Sequence, residues 1–337
     1  MARQADIRDV ADLAGVSVGT VSNVFNHPGV VAAKTRQRVE DAVATLQYVR
    51  NESARQLRRG QSRTIGLIVP DVANPFFTDV ARGVEDVTSE AGVLVIVCNS
   101  DSGSDKEARY LTMLAEQQVL GVLHVPVGSS VASVKQLNER GIPVVLLDYQ
   151  GKSRKQCSVS VNDVAGGQLA VGHLLDAGHR RLAFVGADND TARQVVDRLA
   201  GARAAMVSAG RDPAELHLLA SSALTFAGGV AAAQSLLKIP KTKRPTAVAC
   251  VNDLLAIGML QELLRSGLRI PDDIAIVGYD DIAFAGASAV PLTSIRQPRN
   301  QLGRRAAELL LDEASNDDHQ HSRVVFEPEL IVRDSSR

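Results

Sequence analysis

The sequence predicts a small all-α domain followed by a larger α/β domain built from two parallel-sheet lobes. Three observations carry that expectation. Within the first 50 residues, apolar side chains recur at helical spacing in three short stripes. From Thr64 onward, short apolar runs alternate with amphipathic stretches, the texture of parallel βα units. The alternation starts afresh after Val159-Ser160-Val161-Asn162, so a chain of 337 residues carries two similar sheets rather than one overgrown core.

In the head, Ile7, Val10, Ala11 and Ala14 fall at i, i+3, i+4 and i+7, giving a short amphipathic helix that ends at Gly15. Ser17 is a suitable N-cap for a second helix, Val18 to Phe25. Its Val21, Val24 and Phe25 face inward, while Val18, Gly19, Ser22 and Asn23 face out. His27-Pro28-Gly29 stops it, and a third stripe of Val39, Ala42, Val43 and Leu46 braces the pair. The first 60 residues hold nine Lys or Arg against six acids, although the whole chain has a net charge of −1. A helix, a tight turn, a second helix and a basic excess together present one helix to the major groove of DNA.

At this point a resemblance becomes specific. The stretches DVADLAGVSVGTVSNVFN and VAAKTRQRVEDAV closely resemble the DNA-binding head of LacI/GalR-family repressors. The resemblance implies that Val18, Gly19 and Asn23 occupy base-reading positions. It makes Ser17, Thr20 and Ser22 phosphate-facing or capping hydroxyls, and adds Asn26, Lys34 and Thr35 to the DNA contacts. Many relatives carry Arg at the position of Asn23. Arg prefers guanine whereas Asn pairs bidentately with adenine, and Gly19 has no side chain to read with, so the operator is expected to differ from theirs.

The ten residues from Asn51 to Gly60 have helical propensity but are too short for a stable isolated helix. Asn51, Ala54, Leu57 and Arg58 match the family's hinge helix, which folds on operator DNA. By that resemblance Leu57 wedges into the minor groove at the operator centre. The expected organisation is therefore a head at 1–50, a hinge helix and linker at 51–61, and an effector-binding body at 62–337.

Through the body, IGLIVP, LVIVC, VLGVLHV and PVVLLD read as strands, separated by amphipathic helices over 76–91, 107–116 and the VKQLNERGI stretch. After Asn162 come a helix at 163–177, strand RLAFVG, helices at 195–209 and 227–237, strand TAVACV, a helix at 254–266 and strand IAIVG. The chain is expected to cross between lobes near Val161, Pro291 and His321. That places about 62–161 and 291–320 in the N-lobe, and about 162–290 and 321–333 in the C-lobe. The body resembles the periplasmic-binding-protein-like (type I) fold.

Such lobes bind ligands at the carboxyl ends of their strands. Asn74, Phe76 and Phe77 follow the first strand, His124 ends VLGVLHV, Asp148 ends PVVLLD, Asn252 follows TAVACV and Asp280 follows IAIVGY. Asn and Asp at strand ends also serve as turn formers and helix caps. By resemblance to sugar-binding relatives, Arg198 in an Arg-x-x-Gly pattern forks onto ring hydroxyls. Asp148, Asn252 and Asp280 accept from them, Gln297 adds a polar contact, and Phe76, Phe77 and Phe226 supply stacking in a chain that is only 3% aromatic with no Trp. Tyr149 stands where ribose binders place an Arg. A sugar or sugar derivative is the expected effector, with a purine or nucleoside, or a protein co-regulator, as alternatives. Arg193 and Gln194 favour the purine reading; Ala192 and Val195 weaken it.

No Walker loop, no GxGxxG after a strand and no GxSxG elbow is present, so an enzyme is not expected, and His124 is read as hydrogen-bonding rather than catalytic. Cys98, Cys157 and Cys250 are odd in number and have no partner at metal-ligand spacing, so they read as reduced core residues, with no metal or cofactor. The start lacks the apolar stretch of a signal peptide, and no run is long enough to span a bilayer, so the expectation is a cytoplasmic protein. A homodimer on a pseudo-palindromic double-stranded operator follows from the resemblance. The chain has no heptad run after Arg333 for a tetramerising coiled coil.

Overall fold

The computed structural model describes residues 5–48, 62–127, 131–151, 153, 155–187, 192–221 and 223–337. The chain divides into two compact units, Met1–Gln61 and Ser62–Arg337. The hinge residues Asn51, Ala54, Leu57 and Arg58 lie outside the described residues.

In the first unit, α1 (Ile7–Ala14) is closed at its start by a reciprocal capping box. The Asp6 carboxylate accepts from the Arg8 and Asp9 backbone N–H groups at 2.7 and 3.1 Å, and the Asp9 carboxylate accepts from the Asp6 N–H at 2.8 Å. Gly15 ends it in the left-handed region at φ 60°. Ser17 then caps α2 (Val18–Asn26) by accepting from the Thr20 N–H at 3.1 Å. Helix α3 (Ala33–Leu46) closes the unit. The core consists of Val10, Ala11, Ala14, Val21, Val24, Val39 and Ala42, with Phe25 half-buried against it. So small a core needs polar help. Arg38 on α3 donates Nε and Nη2 to the Ala14 carbonyl at 3.0 and 2.6 Å, and Nη2 to the Gly15 carbonyl at 2.9 Å. These are the orphan acceptors at the end of α1, where the helix dipole is negative.

The second unit holds two sheets, with six strands each among the described residues. The N-lobe sheet runs in the order β11 (Arg323–Phe326), β5 (Ser158–Val161), β4 (Val144–Leu147), β3 (Gly121–His124), β1 (Thr64–Val69), β2 (Leu94–Asn99), every pair parallel. The C-lobe sheet runs β12 (Glu329–Ile331), β10 (Thr293–Arg296), β9 (Ala275–Asp280), β8 (Ala247–Cys250), β6 (Leu182–Ala187), β7 (His217–Ser221). Only β12 in it is antiparallel.

The first crossing falls at Val161–Asp163, where expected. The others do not fall at Pro291 and His321. Strand β10 still belongs to the C-lobe, so the chain crosses at Gln297-Pro298 into α12 (Arg299–Ser315) of the N-lobe. Strand β11 still belongs to the N-lobe, so the chain returns at Glu327-Pro328. The physical reason is pairing: β10 takes a place beside β9 and β11 beside β5, which covers an otherwise open edge of each sheet.

Helices cover both faces: α4 (Pro75–Glu90), α5 (Ser104–Glu116), α6 (Val131–Glu139) and α12 in the N-lobe, and α7 (Asp163–Asp176), α8 (Arg193–Ser208), α9 (Phe226–Leu237) and α10 (Asp253–Arg265) in the C-lobe. The α7/α8 crossing is a reciprocal glycine contact. A Cβ on Gly167 would lie 1.9 Å from the Arg198 carbonyl oxygen, and one on Gly201 would lie 1.9 Å from that of Val164. Only glycine lets the backbones approach so closely, and the approach fixes Arg198 beside the start of α7. No helix of the described residues is long and apolar enough to cross a membrane.

Candidate functional site

On the head, α2 turns Val21 and Val24 inward and leaves Val18, Gly19 and Asn23 exposed on the opposite side. Ser17 and Thr20 share a hydroxyl–hydroxyl hydrogen bond of 2.9 Å at the start of the helix, and Asn26 donates to the Ser22 hydroxyl at 3.1 Å. Lys34 is exposed and Thr35 half-buried at the start of α3. The outward set thus offers one apolar contact, one amide and one gap to a surface it docks on.

In the body, the strand ends converge on a single buried cation. The Arg198 guanidinium stacks over the Tyr279 ring at 3.7 Å, donates Nε to Asp163 at 2.8 Å and Nη1 to the Val251 carbonyl at 2.6 Å, and lies 4.0 Å from Asp280. Burial works against its charge, but Asp163, Asp280 and Asp148 together outweigh that and raise its pKa. Three carboxylates around one guanidinium cannot all be compensated. Burial followed by the neighbouring Asp163 pushes the Asp148 carboxyl well above the usual range. Burial likewise raises Asp280 to about 6, against the pull of Arg198, Gln297 and Asn74. Asp148 and Asp280 both have left-handed backbone, with φ of 51° and 105°, the strained geometry that collects at binding sites.

The lobes touch through these groups. Gln194 of α8 donates to the Asp148 carbonyl and carboxylate, and Arg299 of α12 donates to the Asp280 and Asp281 carbonyls and pairs with Asp79 at 3.0 Å. Gln297, at the second crossing, donates to Asp280 at 2.7 Å. Two atoms are buried here without a hydrogen-bond partner among the described residues, Asp148 Oδ1 and Gln297 Oε1. Beside Asp148 a cavity of about 140 Å³ is lined by Asp148, Tyr149, Asn162, Asp163, Arg193 and Gln194, among others.

Asn74, Asp148, Arg198, Asp280 and Gln297 are therefore brought together, but the five other expected residues are used differently. Phe76 is 2% exposed in the N-lobe core, placed there by Asn74, whose carboxamide oxygen accepts from its N–H at 3.0 Å as the cap of α4. Phe77 turns into a groove between α4 and β2 with Val72, Val93 and Val95. His124 is wholly buried, with Nε2 at 2.5 Å from Glu107. Asn252 spends its whole amide on the scaffold, accepting from the Leu255 N–H and donating to the Leu224 carbonyl, both at 2.9 Å. Phe226 opens α9 with its ring still over a third exposed.

The Arg198 fork also differs from expectation, because its Nε and Nη1 are already bonded within the C-lobe. Asp163 and Tyr279 were not singled out from the sequence. Asp163 had a usable signal, an acid just past strand VSV. The hydroxyl of Tyr279, which donates to Asp163 at 3.0 Å, sits inside an apolar run and had none.

Comparison with known proteins places this arrangement. Residues 6–51 match the model described as bacterial regulatory proteins, lacI family, and residues 171–336 match that of a periplasmic binding protein-like domain. The chain is 35% identical over 335 residues, 98% of both chains, to the HTH-type transcriptional repressor PurR of Aliivibrio fischeri strain MJ11. Among solved structures it is similar to a transcriptional regulator CelR–cellobiose complex, at 32% identity and TM-score 0.71, covering 98% of this chain and 99% of that one. It is also similar to the lac repressor dimer bound to operator and the anti-inducer ONPF, at 28% identity and TM-score 0.84, covering 99% of each. With a helix-turn-helix head, a two-lobed body and near-complete alignment to these repressors, the chain belongs to the lacI family of bacterial regulatory proteins, which are DNA-binding transcription regulators and not enzymes.

Proposed function

We propose that the protein is a repressor that reads a pseudo-palindromic operator as a homodimer and is controlled by a nucleobase-type effector between its lobes. Val18 and Asn23 read bases, Gly19 leaves the base-reading position between them without a side chain, and Ser17, Thr20, Ser22, Asn26, Lys34 and Thr35 position the head on phosphates. The dimer reading is supported by the edge strand β2, whose Leu94 and Ile96 on one face and Val97 on the other are 64%, 41% and 46% exposed beside the groove lined by Phe77. An exposed apolar sheet edge of this kind calls for a covering partner.

The observation that carries the effector class is the state of the cluster around Arg198. Burial and the neighbouring Asp163 push the Asp148 carboxyl toward its protonated form, and among the described residues one of its oxygens, like the Gln297 oxygen, has no hydrogen-bond partner. A neutral carboxyl both donates and accepts, so it complements the paired C=O and N–H edge of a purine. A sugar instead needs charged bidentate donors and a stacking face. Here the guanidinium is engaged elsewhere, and Phe76 lies in the core. The cavity is also smaller than the several hundred Å³ typical of larger ligands, which favours a single ring system. The 35% identity, over 98% of both chains, to a repressor named PurR points the same way.

The CelR–cellobiose complex keeps a sugar as the second reading. Thermal-shift titration of the full chain with a purine panel and a sugar panel separates the two. A ligand at 100 times its Kd stabilises by about 2.7 kcal/mol, so selective stabilisation by purines supports the proposal and selective stabilisation by sugars overturns it.

A further inference from the structure

Far from the Arg198 cluster, at the opposite end of the N-lobe sheet, the fold gathers four side chains from three segments: Cys157 just before β5, Glu313 in the last turn of α12, and His319 and His321 in the segment leading into β11. Cys157 Sγ lies 3.2 Å from His319 Nε2 and 3.8 Å from His321 Nδ1. Glu313 Oε2 lies 3.8 Å from each of those nitrogens, and all four donor atoms fall within 4.8 Å of one another. We propose that Cys157, Glu313, His319 and His321 bind a divalent transition metal of the zinc class.

The donor spacing fits. A tetrahedral ion with the usual zinc bond lengths has donor–donor edges of roughly 3.3 to 3.6 Å, so the four edges of 3.2 to 3.8 Å are close to fitting, and the other two, within 4.8 Å, close up by side-chain rotation. The charges fit as well. One thiolate and one carboxylate neutralise a divalent ion in a half-buried site, and the thiolate with two imidazoles favours zinc over hard oxygen-seeking cations.

Two independent features point to a ligand. Glu313 Oε2 is buried with no hydrogen-bond partner among the described residues. His319 Nδ1 is 2.6 Å from the Asp312 carboxylate, the outer-shell contact that fixes the tautomer and leaves Nε2 as a lone-pair donor facing the thiol. The Ser322 backbone N–H also points at Cys157 Sγ at 3.3 Å and would stabilise its thiolate. A bound ion would tie the end of α12 to the roots of β5 and β11, the two paired strands that lead into the first and third lobe crossings.

The test uses the purified full chain, stripped with chelator, dialysed against micromolar Zn²⁺ and assayed for metal content, with Co²⁺ as a spectroscopic substitute. Expected are about one zinc per chain, a rise in Tm and the visible bands of a tetrahedral cobalt thiolate. Cys157→Ser should lose the ion, Cys98→Ser should keep it, and Asp312→Asn should bind 10- to 100-fold more weakly. If Cys157→Ser does not fold, His321→Gln, at a side chain 31% exposed, gives the same readout. Wild-type protein without zinc above background, or undiminished zinc in both Cys157→Ser and His321→Gln, overturns the assignment.

Discussion

Replacing Asp280 by Asn isolates the electrostatic tension at the lobe junction. The Asp280 carboxyl is fully buried, and its pKa rises from the ordinary 3.8 to about 6. For a carboxyl raised in the folded state, the native protein holds its proton more tightly than the unfolded chain. The associated stability is present in full below about pH 4 and is lost as pH climbs toward and past 6. An elevation of that size corresponds to about 3 kcal/mol. Asn has the shape of the neutral acid, keeps an oxygen to accept from Gln297 and does not titrate. The variant should therefore match wild type near pH 4 and exceed it by up to about 3 kcal/mol at pH 7. In a body spanning Ser62–Arg337 that amounts to roughly 6 °C in Tm. The assay is differential scanning fluorimetry of both proteins from pH 4 to 7.5 at fixed ionic strength. A Tm difference that stays constant with pH would refute the reasoning, as would a variant less stable than wild type at pH 7.

Three further substitutions test other parts of the account. Asn23→Arg should move base preference at one half-site position from A·T toward G·C in selection from a random-site library; unchanged selection would remove Asn23 from the reading set. Gly167→Ala drives a methyl group to 1.9 Å from the Arg198 carbonyl oxygen and should cost about 1–3 kcal/mol, whereas Gly172→Ala on the same helix meets nothing within 4 Å and should stabilise by up to about 1 kcal/mol. Equal effects in thermal denaturation would contradict the crossing geometry. Arg38→Ala removes three hydrogen bonds to the end of α1. It should weaken operator binding through loss of the head's stability while leaving the Tm of the body unchanged, and a shift in the body's transition would count against it.

The head was readable from sequence because the signals that mark its helices are local, although the Arg38 contacts that brace them are not. The Asp6 and Ser17 caps, the Gly15 terminus and the three stripes all act within a few residues. The repeated βα texture of the body was equally plain. Sheet membership was not: Thr293–Arg296 and Arg323–Phe326 carry no mark of the lobe they join, which depends on which edge is open. The site was half legible for the same reason. Acids past strand ends announce themselves, but only the fold shows that Asn252 is consumed as a cap, that Phe76 is core, or that Arg198 has a partner 35 residues upstream. Cys157 and His319 are 162 residues apart, beyond any spacing rule.

The central claim, that a ligand in the cleft governs how the head holds DNA, is tested most directly by measuring operator affinity by fluorescence anisotropy with and without the purine that stabilises the protein. Because an effector acts only through its differential affinity for the two conformations, a change in operator Kd of about 5-fold or more is predicted for wild type and should be lost in Asp148→Ala. An operator Kd unmoved by every stabilising purine would contradict the account.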